Sequence, residues 1–273
     1  MKSVPSFKVL DSKMQEGYKL SDRDEPAAAL VWFEVWNDVL AICDKSNIKT
    51  IGEFDKRFNG TQLVSNWVSD YQMVLWNSGL KNAEFLRQEI AFCEELLRRF
   101  GSEESLRDEN ARRYISECYA EMGQSGKVDE RYEEWLGVDE HWGWGWIGWS
   151  DCYHFAKRDS QDMEKAERLL RKGLSISEVR DRDDITERLA DLLETVKRDD
   201  EASELRSHLT PKLEWSDRFE SDKVDKKFLE VIQAALENSQ PEARGISIDT
   251  NPNRPCPCNS GKRFKKCCGR GLR

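Results

Sequence analysis

The sequence predicts an all-α fold, and three observations carry that prediction. The seven prolines stand at positions 5, 26, 211, 241, 252, 255 and 257, so residues 27–210 contain none. Proline breaks helices and punctuates loops, and a proline-free stretch of that length does not suit a loop-rich β protein. Within it, apolar residues recur at steps of three and four, the period of a helix with one buried face. A longer repeat of similar helical units is laid over that short period.

The elements follow in order along the 273 residues. Residues 1–24 mix Lys, Asp, Glu and Ser and form an N-terminal segment without an apolar run of signal-peptide type. The helical-repeat domain spans 25–240. Its first helix, 27–45, presents Leu30, Val31, Trp32, Val35, Trp36, Val39, Leu40 and Ile42, and Asp24-Glu25-Pro26 suits its start. Residues 62–77 repeat the pattern through Leu63, Trp67, Tyr71 and Leu75. Residues 82–100 do so through Leu86, Ile90, Cys93, Leu97 and Phe100, and Gly101 then closes the helix. Residues 222–239 form a terminal helix with Val224, Phe228, Val231, Ile232, Ala235 and Leu236 on one face, suited to capping a stack of repeats. Residues 241–255 read as a linker, and 256–273 as a separate small module.

In one unit of the long repeat Tyr119, Gly123, Val128 and Tyr132 stand at relative offsets of 0, 4, 9 and 13, and in a later unit Leu189, Ala190, Leu193 and Ala202 fall at −4, −3, 0 and 9. These offsets resemble the tetratricopeptide repeat, where small residues let two antiparallel helices approach closely. The small residue of the second helix recurs at Cys93, Val128, Ala166 and Ala202. Its spacing slightly exceeds the family's, which implies longer turns, and residues 158–162 read as one of them. The resemblance implies helical hairpins stacked into a tetratricopeptide-like solenoid whose concave face binds extended peptides.

Residues 141–153 concentrate aromatics among glycines. Trp146, Trp149 and Tyr153 are at helical spacing and suit a packed face. Trp142 and Trp144 are expected in a glycine-rich turn ahead of that helix, either as core or as exposed anchors for a partner.

Eight cysteines divide into two groups. Cys43, Cys93, Cys118 and Cys152 are scattered along apolar helix faces and are expected as small buried hydrophobes. Cys256, Cys258, Cys267 and Cys268 fall within thirteen residues, as Cys-x-Cys, eight residues, then Cys-Cys. Four thiolates so close repel one another unless a cation neutralises them, and tetrahedral zinc answers that need. Four protein ligands fill the coordination shell, so one structural Zn2+ is expected, with no place for a catalytic water. Residues 251–273 carry seven Lys and Arg and no acid, which leaves a net charge of −16 on the first 250 residues against −9 overall. An acidic body is a poor ligand for nucleic-acid backbone, and the basic tail is the part with charge to offer.

The run from Pro255 to Arg270, PCPCNSGKRFKKCCGR, resembles the SEC-C zinc motif, named for the C-terminus of the SecA translocase. The spacing, Ser260-Gly261, Phe264 and the basic run match, while Asn259 stands where Gly is commoner. The resemblance implies that Lys262, Arg263, Lys265 and Lys266 dock an acidic protein partner, as the similar SecA tail docks a chaperone and contacts the ribosome. The function expected is therefore a non-enzymatic zinc-binding adaptor. The alternative is nucleic-acid or ribosome binding through the basic zinc tail. No phosphate-binding Gly-rich loop, His-Glu-x-x-His or Gly-x-Ser-x-Gly occurs. The longest apolar run, residues 27–33, is too short for a membrane span, and a cytoplasmic bacterial protein is expected.

Overall fold

The computed structural model describes residues 4–101, 106–155 and 161–209, and among them every regular element is an α-helix. In chain order they are α1 (Phe7–Ser21), α2 (Glu25–Ser46), α3 (Ile51–Arg57), α4 (Val64–Gly79), α5 (Ala83–Phe100), α6 (Leu106–Glu121), α7 (Ser125–Val138), α8 (Gly143–His154), α9 (Met163–Ser175), α10 (Arg182–Thr195) and α11 (Asp199–Ser207). The expected terminal helix 222–239, the linker 241–255, the module 256–273 and residues 158–160 of the expected turn lie outside the described residues.

Local chemistry sets the helix boundaries. Asp24 caps α2 by accepting from the Ala27 N–H at 3.1 Å, with Pro26 in the first turn where its missing N–H costs nothing. Thr50, Asn82 and Asp162 cap α3, α5 and α9 in the same way. Gly101 ends α5 by donating to Leu97 O at 3.0 Å, with extended rather than left-handed backbone. Gly123 holds a φ of 71° in the turn from α6 to α7, a conformation in which a side chain is strained.

The helices pack chiefly as sequence-adjacent pairs: α1 on α2, α4 on α5, α6 on α7, α8 on α9 and α10 on α11. α6 also touches α8, and α8 touches α10. Cys93, Val128, Ala166 and Ala202, picked out by the long repeat, fall on α5, α7, α9 and α11 and are all buried. The packing divides into two apolar clusters, one over α1–α6 and one over α7–α11, with Tyr119 and Trp135 partly buried against both.

Three sequence expectations need correction. The segment 1–24 contains a helix, α1, whose Leu10 and Met14 are fully buried and whose Gly17 sits against the Trp32 ring of α2. α2 has the length and apolarity of a membrane span, although its longest uninterrupted apolar run is short. Its Trp32, Val35, Trp36 and Val39 are buried within the body, and Lys13 pairs with its Glu34 and Asp38. On that helix Leu30 is exposed, and Ala28 and Ala29 take the buried places.

The third correction concerns the aromatic stretch. α8 begins at Gly143, so Trp142 is its N-terminal flank and Trp144 lies in its first turn, where a separate glycine-rich turn was expected. The glycines serve close packing. A Cβ at Gly148 would stand 2.4 Å from the Tyr132 hydroxyl, and one at Gly143 would stand 2.0 Å from the carbonyl oxygen of Arg180.

Candidate functional site

Three helices bring chemically unlike side chains to one groove. α4 supplies Trp76, α6 supplies Glu117, Ala120 and Glu121 on successive turns, and α8 supplies Asp151 and Cys152, with Phe155 just past its end. They enclose a cavity of about 210 Å³. Phe155 is 63 % exposed although it follows a buried helix, so the groove offers an aromatic surface to solvent.

Its electrostatics are set by burial. Desolvation pushes the Asp151 carboxyl up to about 6, against the nearby charges of Arg188 and Arg113. Arg188 Nη1 stands 3.2 Å from Asp151 Oδ1, an ionic contact, and that oxygen receives no hydrogen bond. Desolvation also raises Glu117; Arg113, with Nη2 at 3.6 Å, opposes the rise and Asp151 adds to it. Both guanidinium groups are engaged elsewhere as well. Arg188 lies 5.5 Å from the Phe155 ring centroid, and Arg113 lies 5.6 Å from that of Trp144. A deeper acid, Glu89 of α5, is fully buried and accepts from the Cys118 thiol of α6 at 3.3 Å. Burial pushes it up to about 8, tempered by that hydrogen bond.

The aromatic stretch itself is mostly core. Trp142 is 2 % exposed, seated against Tyr132 and Trp135 with the Arg112 guanidinium over its ring, and so presents little to a partner. Trp144 is half-buried beneath Arg113. Trp149 and Tyr153 share the acceptor Asp129 Oδ1 at 2.8 and 2.6 Å, and Lys165 Nζ reaches Asp129 Oδ2 at 2.6 Å. Desolvation works against the Asp129 charge, but these three donors outweigh it and hold the carboxyl below its ordinary value. The triad ties α7, α8 and α9 together. His154, two residues from Cys152 on α8, stacks on Phe155 at a centroid distance of 4.2 Å.

The body cysteines meet the expectation: Cys43, Cys93, Cys118 and Cys152 are free and buried. Among the described residues no group of three or more His, Cys, Asp or Glu could hold a metal. Cys256, Cys258, Cys267 and Cys268, with Lys262, Arg263, Lys265 and Lys266, lie outside the described residues. The donor set fits zinc chemically, because four thiols are the ligands of a closed structural site.

The chain is thus an all-helical body followed by a cysteine-rich basic tail. Comparison with known proteins makes the tail specific: residues 253–270 match the SEC-C motif, which the chain carries at its C-terminal end. Over 25 residues the chain is also 60 % identical to a UPF0225 protein of Pectobacterium carotovorum subsp. carotovorum (strain PC1). That stretch covers 9 % of this chain and 16 % of the other protein.

Sequence reasoning missed Trp76, Glu117, Asp151 and Phe155. The one available signal was Asp151 itself, a carboxylate set into an otherwise apolar and aromatic helix.

Proposed function

We propose that this chain is a non-enzymatic cytoplasmic adaptor. Its helical body is a tetratricopeptide-like stack of hairpins that binds a protein or peptide. Its tail binds one structural Zn2+ through Cys256, Cys258, Cys267 and Cys268 and docks an acidic protein surface, such as an export chaperone or a ribosomal protein. The single observation that carries this reading is the SEC-C match over residues 253–270, which contains all four clustered thiols and all four central cations. The pairwise helix packing and the buried small residues on α5, α7, α9 and α11 support the repeat reading of the body.

Zinc supplies no chemistry of reaction here. It neutralises the thiolates and orders a segment too short to fold on an apolar core; structural zinc contributes roughly 10–16 kcal/mol in small finger peptides. Lys262, Arg263, Lys265 and Lys266 then ride on an ordered scaffold and lose little conformational entropy on docking.

The test has two stages. Purified protein should contain one zinc per chain, and Cys256→Ser with Cys258→Ser should abolish it; stoichiometric metal surviving that change refutes the site. Reversing the four cations to Glu should keep the zinc and abolish tail-dependent capture of the partner. Equal, sequence-independent binding of RNA or DNA by the tail would instead support the nucleic-acid reading.

A further inference from the structure

A second cavity, of about 580 Å³, lies along the seam between α6 and α7 and holds polar groups that the fold leaves unused. α6 supplies Glu109 and Arg112, α7 supplies Trp135 and Val138, and Trp142 forms the wall where α8 begins. The Arg112 guanidinium lies 5.6 Å from the Trp142 ring centroid and, among the described residues, makes no hydrogen bond or ion pair. Two neighbouring acids are committed elsewhere: Asp139 is bound by Arg180 at 2.6 Å and Glu134 by Arg131 at 3.3 Å. Trp142 is 2 % exposed, yet its indole N–H has no acceptor. A buried donor without an acceptor is costly, and nearly all such groups in folded proteins find one. Glu109 is the converse case, with no ion pair among the described residues and Arg180 only at longer range. Trp135 and Val138 add apolar surface, and Val138 is 87 % exposed. The space is that of a small-molecule site, which joins apolar walls to a few placed polar groups.

We propose that this cavity binds a small zwitterion of the α-amino-acid class that carries an apolar side chain. The ligand carboxylate accepts from Arg112, with the Trp142 N–H as second donor, and the ammonium donates to Glu109. The side chain lies against Trp135 and Val138. Charge selects this occupant. The first 250 residues carry a net charge of −16, so a polyanion such as a nucleotide is repelled. A bare amine satisfies Glu109 and leaves both donors unpaired, and a residue inside a peptide chain brings neither charge. Trp135 is partly buried against both apolar clusters of the body, so a ligand held here stabilises the seam where the two clusters meet. The body then responds to a small metabolite, a property that requires neither the zinc tail nor a peptide partner.

The test titrates the full chain with L-phenylalanine, followed by calorimetry and by the thermal midpoint. Wild type should bind it and melt at higher temperature. Phenethylamine, which lacks the carboxylate, should not bind, and 3-phenylpropionate, which lacks the ammonium, should bind about threefold more weakly. Arg112→Gln should weaken L-phenylalanine binding about tenfold, Glu109→Gln and Trp142→Phe about threefold each, and Val138→Ser about twofold. Arg87→Gln removes an exposed cation from α5 and should leave affinity unchanged. Val138 is exposed, so its variant keeps the test valid if changes at Arg112 or Trp142 disturb folding. Binding that survives equally in the cavity variants overturns the site, as does absence of binding to wild type. Equal binding of N-acetyl-L-phenylalanine amide, which has neither charge, overturns the zwitterion as the occupant.

Discussion

The two halves of the body are held together by different means. In α1–α6 the core is a chain of aromatic rings. Trp32 meets Tyr18, Trp67 and Tyr71 at centroid distances of 5.0, 6.2 and 6.1 Å, and Trp36 meets Trp67, Phe92 and Phe100. In α7–α11 the aromatics stop at α8, and the buried residues beyond are small or branched: Leu169, Leu170, Leu189, Ala190, Leu192 and Leu193. Ion pairs line the rims of both halves: in the first, Lys13 pairs with Glu34 and Asp38, and Arg99 with Asp44 and Glu95. In the second, Arg171 and Arg198 both join Glu167 to Glu201, and Arg206 reaches Glu187, Asp191 and Glu194. Large buried rings contribute stability that salt hardly touches, whereas partly exposed ion pairs fix geometry and contribute little energy. The first half is therefore anchored by buried rings and the far end of the second by smaller apolar groups, and the acidic groove draws on both halves.

The sharpest way to break this contrast is to remove a ring from the first half. Trp32→Ala should cost about 3–5 kcal/mol, because it opens a large cavity and removes the hydrogen bond that the indole N–H donates to the Met14 carbonyl oxygen at 3.2 Å. Urea unfolding at two salt concentrations measures it, and the loss should be equal in both.

Glu89 gives the next effect, and its sign is definite. The carboxyl is raised from 4.5 to about 8 in the folded chain, where it sits against Cys118, Gln72-bonded Cys93 and, at longer range, Glu117. Between those two values the native state holds a proton that the unfolded chain has lost. Stability is therefore greatest below pH 4.5 as far as this group is concerned, and falls as pH rises through 8, by a few kcal/mol in order of magnitude. Glu117 and Asp151, raised for the same reason, act with the same sign. Glu89→Gln should flatten the pH profile and be more stable than wild type above pH 8. An unchanged slope would remove Glu89 as its source.

The smallest effect belongs to the second half. Arg206→Ala removes three ion pairs at once, yet its side chain is 30 % exposed and its partners more so. A loss of about 0.5–1 kcal/mol is expected at low salt, fading at high salt. A loss comparable to that of Trp32→Ala would erase the distinction between the halves.

Much of the architecture was legible because α2, α4 and α5 bury residues at helical spacing within a polar sequence. α1 escaped notice because only Leu10, Met14 and Gly17 of its fifteen residues are buried. α3 has seven residues, too few to display a period. The start of α8 was misplaced because glycine reads as a turn former, and its use here, admitting Tyr132 and the Arg180 backbone, depends on elements far away in sequence. The groove was hidden for a related reason. Trp76, Glu117 and Asp151 each stand more than thirty residues from the next, and only helix packing brings them together. Cys256, Cys258, Cys267 and Cys268 are the opposite case, since all four lie within one short run.

The burial of the body cysteines divides the chain's thiol chemistry. Burial pushes Cys43 up to about 11 and raises Cys93, Cys118 and Cys152 as well, so at neutral pH almost none is ionised. Since the thiolate is the reactive form, these four thiols are poor targets for oxidants and alkylating agents. The four buried body thiols are thereby withdrawn from thiolate chemistry, which leaves Cys256, Cys258, Cys267 and Cys268, all inside the SEC-C match, as the chain's remaining cysteines.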